Sequence, residues 1–411
     1  PIFPFSHLPT FSPSHLPTQL IKTKKMPTNQ TIWLSSPHMS GNEKKYVDEA
    51  FARNFVFPMG PNVAGFEEDL KNFTGSAAVS CLSSGTAAIH LALINLGVEQ
   101  GDEVICSSFT FSASANPIAY QKAIPVFIDS EPGTWNMSSE LLETAINDRI
   151  AKGKKPKAII VVHLYGMPAM MDEILAIANH FEIPVIEDAA EALGSTYKGR
   201  HCGTMGVIGI LSFNGNKIIT TSGGGAMISD NPEYCRNATF LATQARDAAP
   251  HYQHSHIGYN YRMSNICAGI GRGQMEVLPQ RIEKRRENFQ FYKEQLKGLP
   301  GITVHEEPGS EFFSNHWLTT ILVDPALTGG ITREDLRLHF NKHNIESRPL
   351  WKPMHLQPVF ANYPAYVNGV SEHLFDIGLC LPSSSNITDE EREIVVQEIK
   401  LLFFNSTLSK V

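Results

Sequence analysis

Between Gly101 and Gly225, short apolar runs alternate with stretches of helical pattern, and few folds accommodate that arrangement. The runs are Glu103-Val-Ile-Cys106, Pro125-Val-Phe-Ile-Asp129, Lys157-Ala-Ile-Ile-Val-Val162 and Pro184-Val-Ile-Glu-Asp188. Amphipathic segments such as Ser138–Arg149 and Met171–Phe181 lie between them. Strands that are apolar along their whole length must be covered on both faces, and helices between them allow parallel neighbours. The pattern therefore predicts an α/β fold with a mostly parallel sheet sandwiched by helices. Ligands on such sheets bind beyond the carboxyl ends of the strands, so the residues just after each run are candidates for function.

After Met263 the texture changes. Asn265–Lys297 reads as one long helix, followed by short mixed segments, a helix from Thr332 to His343 and a last helix from Thr388 to Phe404. Thr388-Asp-Glu-Glu391 is an N-terminal capping signature for that last helix. The expected organisation is a large α/β domain over 26–270 and a smaller C-terminal α+β domain over 271–411. Residues 1–25, rich in Pro, Ser and Thr, are expected to be a non-native or disordered leader ahead of Met26.

Composition narrows the partners. With 34 Lys and Arg against 41 Asp and Glu, the net charge is −7, so the chain lacks the basic excess of a nucleic-acid or anionic-membrane binder. Six scattered cysteines form no CxxC pair; they suggest a reducing, cytoplasmic setting and no metal site. No apolar run approaches the ~20 residues a membrane helix needs.

Three features carry chemistry. Ser83-Ser84-Gly85-Thr86 opens the helical run Ala87–Leu96. A small-residue turn entering a helix is a ready phosphate site, although a Ser there is also an ordinary helix cap. Asp188, in Glu187-Asp188-Ala-Ala-Glu191, ends a buried strand. Lys217, in Ser212-Phe-Asn-Gly-Asn-Lys217, precedes Thr220-Thr-Ser-Gly-Gly-Gly225, and no other charge stands between Met205 and Met227. A lone lysine is usually solvated, but one flanked by Phe213, Ile218 and Ile219 is partly desolvated, which suits an amine nucleophile. A phosphate cup, an acid and a lysine are what pyridoxal phosphate requires.

The order of these pieces, with Gly258-Tyr-Asn-Tyr-Arg-Met-Ser264, resembles the fold-type-I pyridoxal-phosphate enzymes of the DegT/DnrJ/EryC/StrS sugar aminotransferase family. The resemblance runs from about Ile32 to Phe404. The segments Ile32-Trp-Leu-Ser-Ser-Pro-His-Met-Ser-Gly41 and Phe57-Pro-Met-Gly-Pro61 look most like members that aminate nucleotide-linked 4-keto-6-deoxy sugars, as in bacillosamine-type pathways. The resemblance implies Lys217 as the Schiff-base lysine and Asp188 as the partner of the pyridinium nitrogen. It implies Phe111 stacked on the cofactor ring, with core packing as the alternative. It also implies Ser84, Gly85, Thr86 and Ser212 around the phosphate, and Glu191, where many members carry Gln, near the ring hydroxyl. Asn260 would reach the phosphate of a neighbouring subunit, which implies a homodimer with shared active sites.

The reading is an aminotransferase that takes nitrogen from an amino acid, by family glutamate, and gives it to a nucleotide-linked keto sugar. A sugar dehydratase of the same fold carries His in place of Lys217, and a non-catalytic regulatory protein has no need of Lys217 and Asp188. Two further motifs read as structural. Gly269-Ile-Gly-Arg-Gly-Gln274 sits in a helical pattern and suggests close helix packing rather than a nucleotide loop. His251, His254 and His256 lack zinc-motif spacing and read as a polar loop.

Overall fold

A computed structural model describes residues 30–408, so the expected leader over 1–25 lies outside the described residues. Two helices, α1 (Glu43–Ala52) and α2 (Pro61–Thr74), lead into β1 (Ala78–Leu82) and α3 (Gly85–Asn95). The alternating region then gives β2 (Glu103–Ser107), α4 (Asn116–Tyr120), β3 (Ile124–Ile128), α5 (Ser139–Ala151), β4 (Ala158–Val162), α6 (Met171–His180) and β5 (Val185–Asp188). After the β6 (Thr196–Tyr197) and β7 (Arg200–His201) hairpin come β8 (Ile208–Ser212), β9 (Gly225–Ser229) and α7 (Pro232–Ala242).

The helices α8 (Asn265–Met275) and α9 (Leu278–Leu296) replace the single helix expected over Asn265–Lys297. Pro279 stands in the first turn of α9. Its ring would clash with the carbonyl of Met275 in a continuous helix, and it has no N–H to donate. The C-terminal part adds β10 (Ile302–Val304), β11 (Phe312–Phe313), β12 (Thr319–Val323), α10 (Arg333–Lys342), β13 (Arg348–Pro349), β14 (Ala365–Tyr366), α11 (Val370–Ile377), β15 (Gly378–Leu381) and α12 (Asp389–Leu408).

Eight strands form the large sheet in the order β1-β9-β8-β5-β4-β2-β3-β14. From β8 to β14 every neighbouring pair is parallel; β9 alone runs against the rest, antiparallel to both β8 and β1. Successive residues bury on opposite faces. Ile105, Ile159 and Val161 join one core layer, whereas Val104, Cys106, Ala158 and Ile160 join the other. That two-sided burial makes the strands read as unbroken apolar runs. A smaller antiparallel sheet, β10-β12-β15-β13, lies in the C-terminal part.

The glycines of α8 are packing residues. A Cβ at Gly271 would stand 2.6 Å from the Phe66 ring, and one at Gly273 would stand 2.5 Å from the Glu43 backbone nitrogen. At the other end of the chain, Thr388 and Glu391 exchange backbone-to-side-chain hydrogen bonds of 2.8 and 3.1 Å, the capping box expected for α12.

One packed imidazole makes the fold acid-sensitive. His305 stacks on Trp135 with ring centroids 3.6 Å apart, and its Nε2 lies 3.1 Å from the Gly133 carbonyl oxygen, to which it donates. Burial pushes its pKa from the ordinary 6.5 down to about 4. The unfolded chain therefore binds this proton first. Stability is intact above pH 6.5 and is lost as the pH falls from there through 4, by on the order of 1–3 kcal/mol. His305→Phe, which keeps a ring on Trp135, is expected to flatten that part of the curve in urea unfolding at several pH values. An unchanged slope would clear His305 of the effect.

Candidate active site

Parallel pairing brings the carboxyl ends of several strands to one edge. A cavity of about 350 Å³ opens there, lined by Ser84, Gly85, Thr86, Phe111, Asp188, Glu191, Ser212 and Lys217, with Ser114, Trp317 and Trp351. Eight of the nine site residues expected from sequence thus share one cavity. Asn260 does not line it and is exposed, in a segment that bridges Thr243.

The start of α3 forms one wall. The Ser84 hydroxyl accepts from the Ala87 N–H at 3.0 Å, so the ordinary helix cap is present. The first amides of the helix, at Gly85 and Thr86, have no acceptor within the helix, an arrangement that suits an anion. β9 crosses close behind. A Cβ at Gly225 would fall 2.4 Å from the Gly85 nitrogen, which only glycine avoids. Ser212, at the end of β8, sits across the cup, where a Cβ on Gly85 would meet its own Cβ at 3.3 Å.

Asp188 is 5% exposed and clamped from both sides. Its Oδ2 accepts from the Ser114 hydroxyl at 2.6 Å, and its Oδ1 accepts from the Ala190 N–H at 3.1 Å. Because Ser114 spends its proton on Asp188, the Thr110 hydroxyl, 2.7 Å away, donates to Ser114. Two donors on its two oxygens therefore fix the carboxylate in direction.

Lys217 lies on the link between β8 and the reversed strand β9. Its side chain is 12% exposed; Nζ is 3.5 Å from Glu191 Oε1 and 4.1 Å from the centre of the Trp317 ring. The Trp317 indole N–H and the Ser35 hydroxyl both donate to the Asn216 carbonyl, at 2.7 and 2.6 Å, which anchors the link. Glu191 accepts the Tyr165 N–H at 2.6 Å. Burial raises the Glu191 carboxyl above its ordinary value, opposed by the Lys217 ammonium and the Tyr165 amide. Phe111 is 51% exposed on the cavity wall, 5.1 Å from Trp351 between ring centres, so it is not a core residue.

Sequence reading missed Ser114, Trp317, Trp351 and Tyr165. Tyr165 is in the left-handed region at φ 54°, and its ring lies nearly parallel to those of Trp317 and Trp351. Its position just past the carboxyl end of β4 was a usable signal. The two tryptophans offered none, since they arrive from far along the chain. The expected polar loop is observed: His251, His254 and His256 are all exposed, and His254 Nδ1 donates to the Gln244 carbonyl at 2.8 Å.

The family model for the DegT/DnrJ/EryC1/StrS aminotransferases matches residues 37–400. The chain belongs to this family. It is 50% identical over 386 residues to EpsN of Bacillus subtilis (strain 168), provisionally named a pyridoxal phosphate-dependent aminotransferase, covering 93% of this chain and 98% of that protein. It is 37% identical over 363 residues to the GDP-perosamine synthase of Escherichia coli O157:H7, covering 88% and 96%. Its fold matches a solved DegT/DnrJ/EryC1/StrS aminotransferase from Brucella abortus with a TM-score of 0.82, 29% identity and coverage of 88% and 95%. The protein is a pyridoxal-phosphate-dependent aminotransferase of fold type I, as the family resemblance implied.

The donors suit that cofactor: helix amides for a phosphate, a clamped carboxylate for a ring nitrogen, and an amine between them. Ser114→Ala removes the hydroxyl donor to Asp188, a loss of ~1.5–3 kcal/mol for a hydrogen bond to a charged group. Pyridoxal phosphate retention in equilibrium dialysis is expected to fall about tenfold or more, alongside a drop of a few degrees in the thermal midpoint. Wild-type retention in this variant would show that Asp188 needs no such clamp.

Proposed function

We propose that this sugar aminotransferase moves an amino group from glutamate to a nucleotide-linked 4-keto-6-deoxy sugar in the making of glycan or surface-polysaccharide precursors. The observation that carries the reading is the convergence of Lys217, Asp188 and the start of α3 in one cavity. The GDP-perosamine synthase relative, named for a nucleotide-linked sugar, supports the acceptor class. A second cavity of about 610 Å³ shares Asn216, Trp317 and Trp351 with the first and is bounded by Arg348 and Lys352, cations suited to a diphosphate. In this reading residues 26–270 hold the cofactor, and residues 271–411 supply the two tryptophans and most of the lining of that second cavity.

Pyridoxal phosphate, when bound, supplies the electron sink that stabilises charge on the substrate's carbon. The chain's residues do the rest. Gly85, Thr86 and Ser212 would hold its phosphate, Phe111 would pack on its ring, and Asp188 would favour the protonated ring nitrogen. Lys217, through Nζ, would take the proton from the donor's α-carbon and hold it for return during the transfer. Glu191, 3.5 Å from that amine, orients it and offsets its charge. Trp317 and Trp351 exclude water from the reacting face.

Lys217→Ala is expected to abolish transamination, and borohydride reduction of the wild type is expected to leave the pyridoxyl label on the peptide carrying Lys217. A label on another lysine, or turnover by the variant, would refute the assignment. A keto-sugar panel under UDP, GDP and TDP tests the acceptor, with failure of every 4-keto-6-deoxy sugar as the contrary result.

The exposed Asn260 fits a role across a homodimer, where it would donate to the phosphate held by the other subunit. Asn260→Ala and Lys217→Ala each spoil both sites of a dimer. Mixed, they gather both defects in one site, and activity is expected to recover toward one working site per dimer. No recovery after confirmed subunit exchange would leave Asn260 an ordinary surface residue.

A further inference from the structure

A second constellation lies away from the cavity, where α10 meets α12. His339, in the last turn of α10, and His343, its C-terminal cap, are four residues apart and so lie on one face of the helix. Their rings are 4.6 Å apart between centres. Glu398 of α12 faces both. His339 Nε2 is 2.8 Å from Oε2, and His343 Nδ1 is 3.5 Å from Oε1. One atom from each of the three side chains lies within 4.8 Å of the other two.

A single interhelical hydrogen bond would need one imidazole and one carboxylate oxygen. Here two imidazoles address the two different oxygens of one carboxylate, so three donors gather at one point. We propose that His339, His343 and Glu398 bind a divalent transition ion of the Zn²⁺ type. Metal–ligand lengths of about 2.0–2.2 Å put tetrahedral donors about 3.3 Å apart, so side-chain adjustments of about an ångström complete the site. Two imidazoles with one carboxylate select zinc, nickel, cobalt or copper over magnesium or calcium, which demand oxygen ligands. The His343 side chain is 44% exposed, giving the ion an entry path and leaving a coordination position for water, while those of His339 and Glu398 are 18% and 13% exposed and hold the inner side. None of the three lines the catalytic cavity, so the ion has no part in transamination. It fastens α12 to α10 and stabilises the folded chain by mass action.

The test uses the full chain, stripped with a chelator and titrated with Zn²⁺ alone in calorimetry and thermal melts. With 16 histidines in the chain, the comparison with variants decides. Wild type is expected to bind one equivalent more than His339→Gln or His343→Gln, and only wild type is expected to gain several degrees in melting temperature. His254→Gln, in the exposed histidine loop, is expected to behave as wild type. Glu398→Gln, which preserves side-chain size, is expected to weaken Zn²⁺ at least tenfold and serves if a histidine variant folds poorly. Equal stoichiometry and equal thermal response in wild type and the ligand variants would overturn the site. So would loss of the extra equivalent in His254→Gln.

Discussion

Six strands of the large sheet, β8, β5, β4, β2, β3 and β14, run side by side in the same direction, and their carboxyl ends open on one edge. The site depends on that shared direction. Asp188 ends β5, Ser212 ends β8, Ser114 follows β2 and Tyr165 follows β4. The reversal of β9 matters equally. Because β9 returns beside β8, the link between them stays at the same edge, and Lys217 is carried on it. The close passage of Gly225 behind Gly85 then fixes the start of α3 as the floor of the cup.

Charges buried at this edge are compensated one by one. Glu187, fully buried, accepts from the amides of Gly203, Met205 and Gly206 and lies 2.9 Å from His163 Nε2. His163 Nδ1 accepts the Ala169 N–H at 3.0 Å, so that nitrogen carries no proton and Nε2 is the donor to Glu187. These donors hold the Glu187 carboxyl below its ordinary value in spite of burial. The pair pins the end of β4 to β5 and to the turn before β8, and a buried carboxylate without such donors would cost several kcal/mol. Asp188, next in sequence, points to the cavity with its own two donors. Adjacent carboxylates on opposite faces of one strand thus divide the work: Glu187 rigidifies the sheet edge, and Asp188 faces the cavity.

Much of this was legible in the sequence. Two-sided burial leaves unbroken apolar runs, so the alternation over Gly101–Gly225 specified the parallel sheet, and the sheet's polarity marked Asp188 as an edge residue, whereas Ser212 came from the family resemblance. Lys217 stood out as the one charge in an apolar stretch. Local pattern reports how a segment is buried, because burial repeats with the period of the element.

Tertiary structure alone decided what meets across long chain separations. Trp317 reaches the lysine link from 101 residues away, Ser114 reaches Asp188 across 74, and Glu398 meets His339 across 59. The break between α8 and α9 followed from Pro279, a local signal that the amphipathic pattern masked. No periodicity encodes the distant meetings. They follow from how finished elements pack, and packing is settled by shape and by the pairing of buried polar groups, which a linear pattern of residue types does not contain.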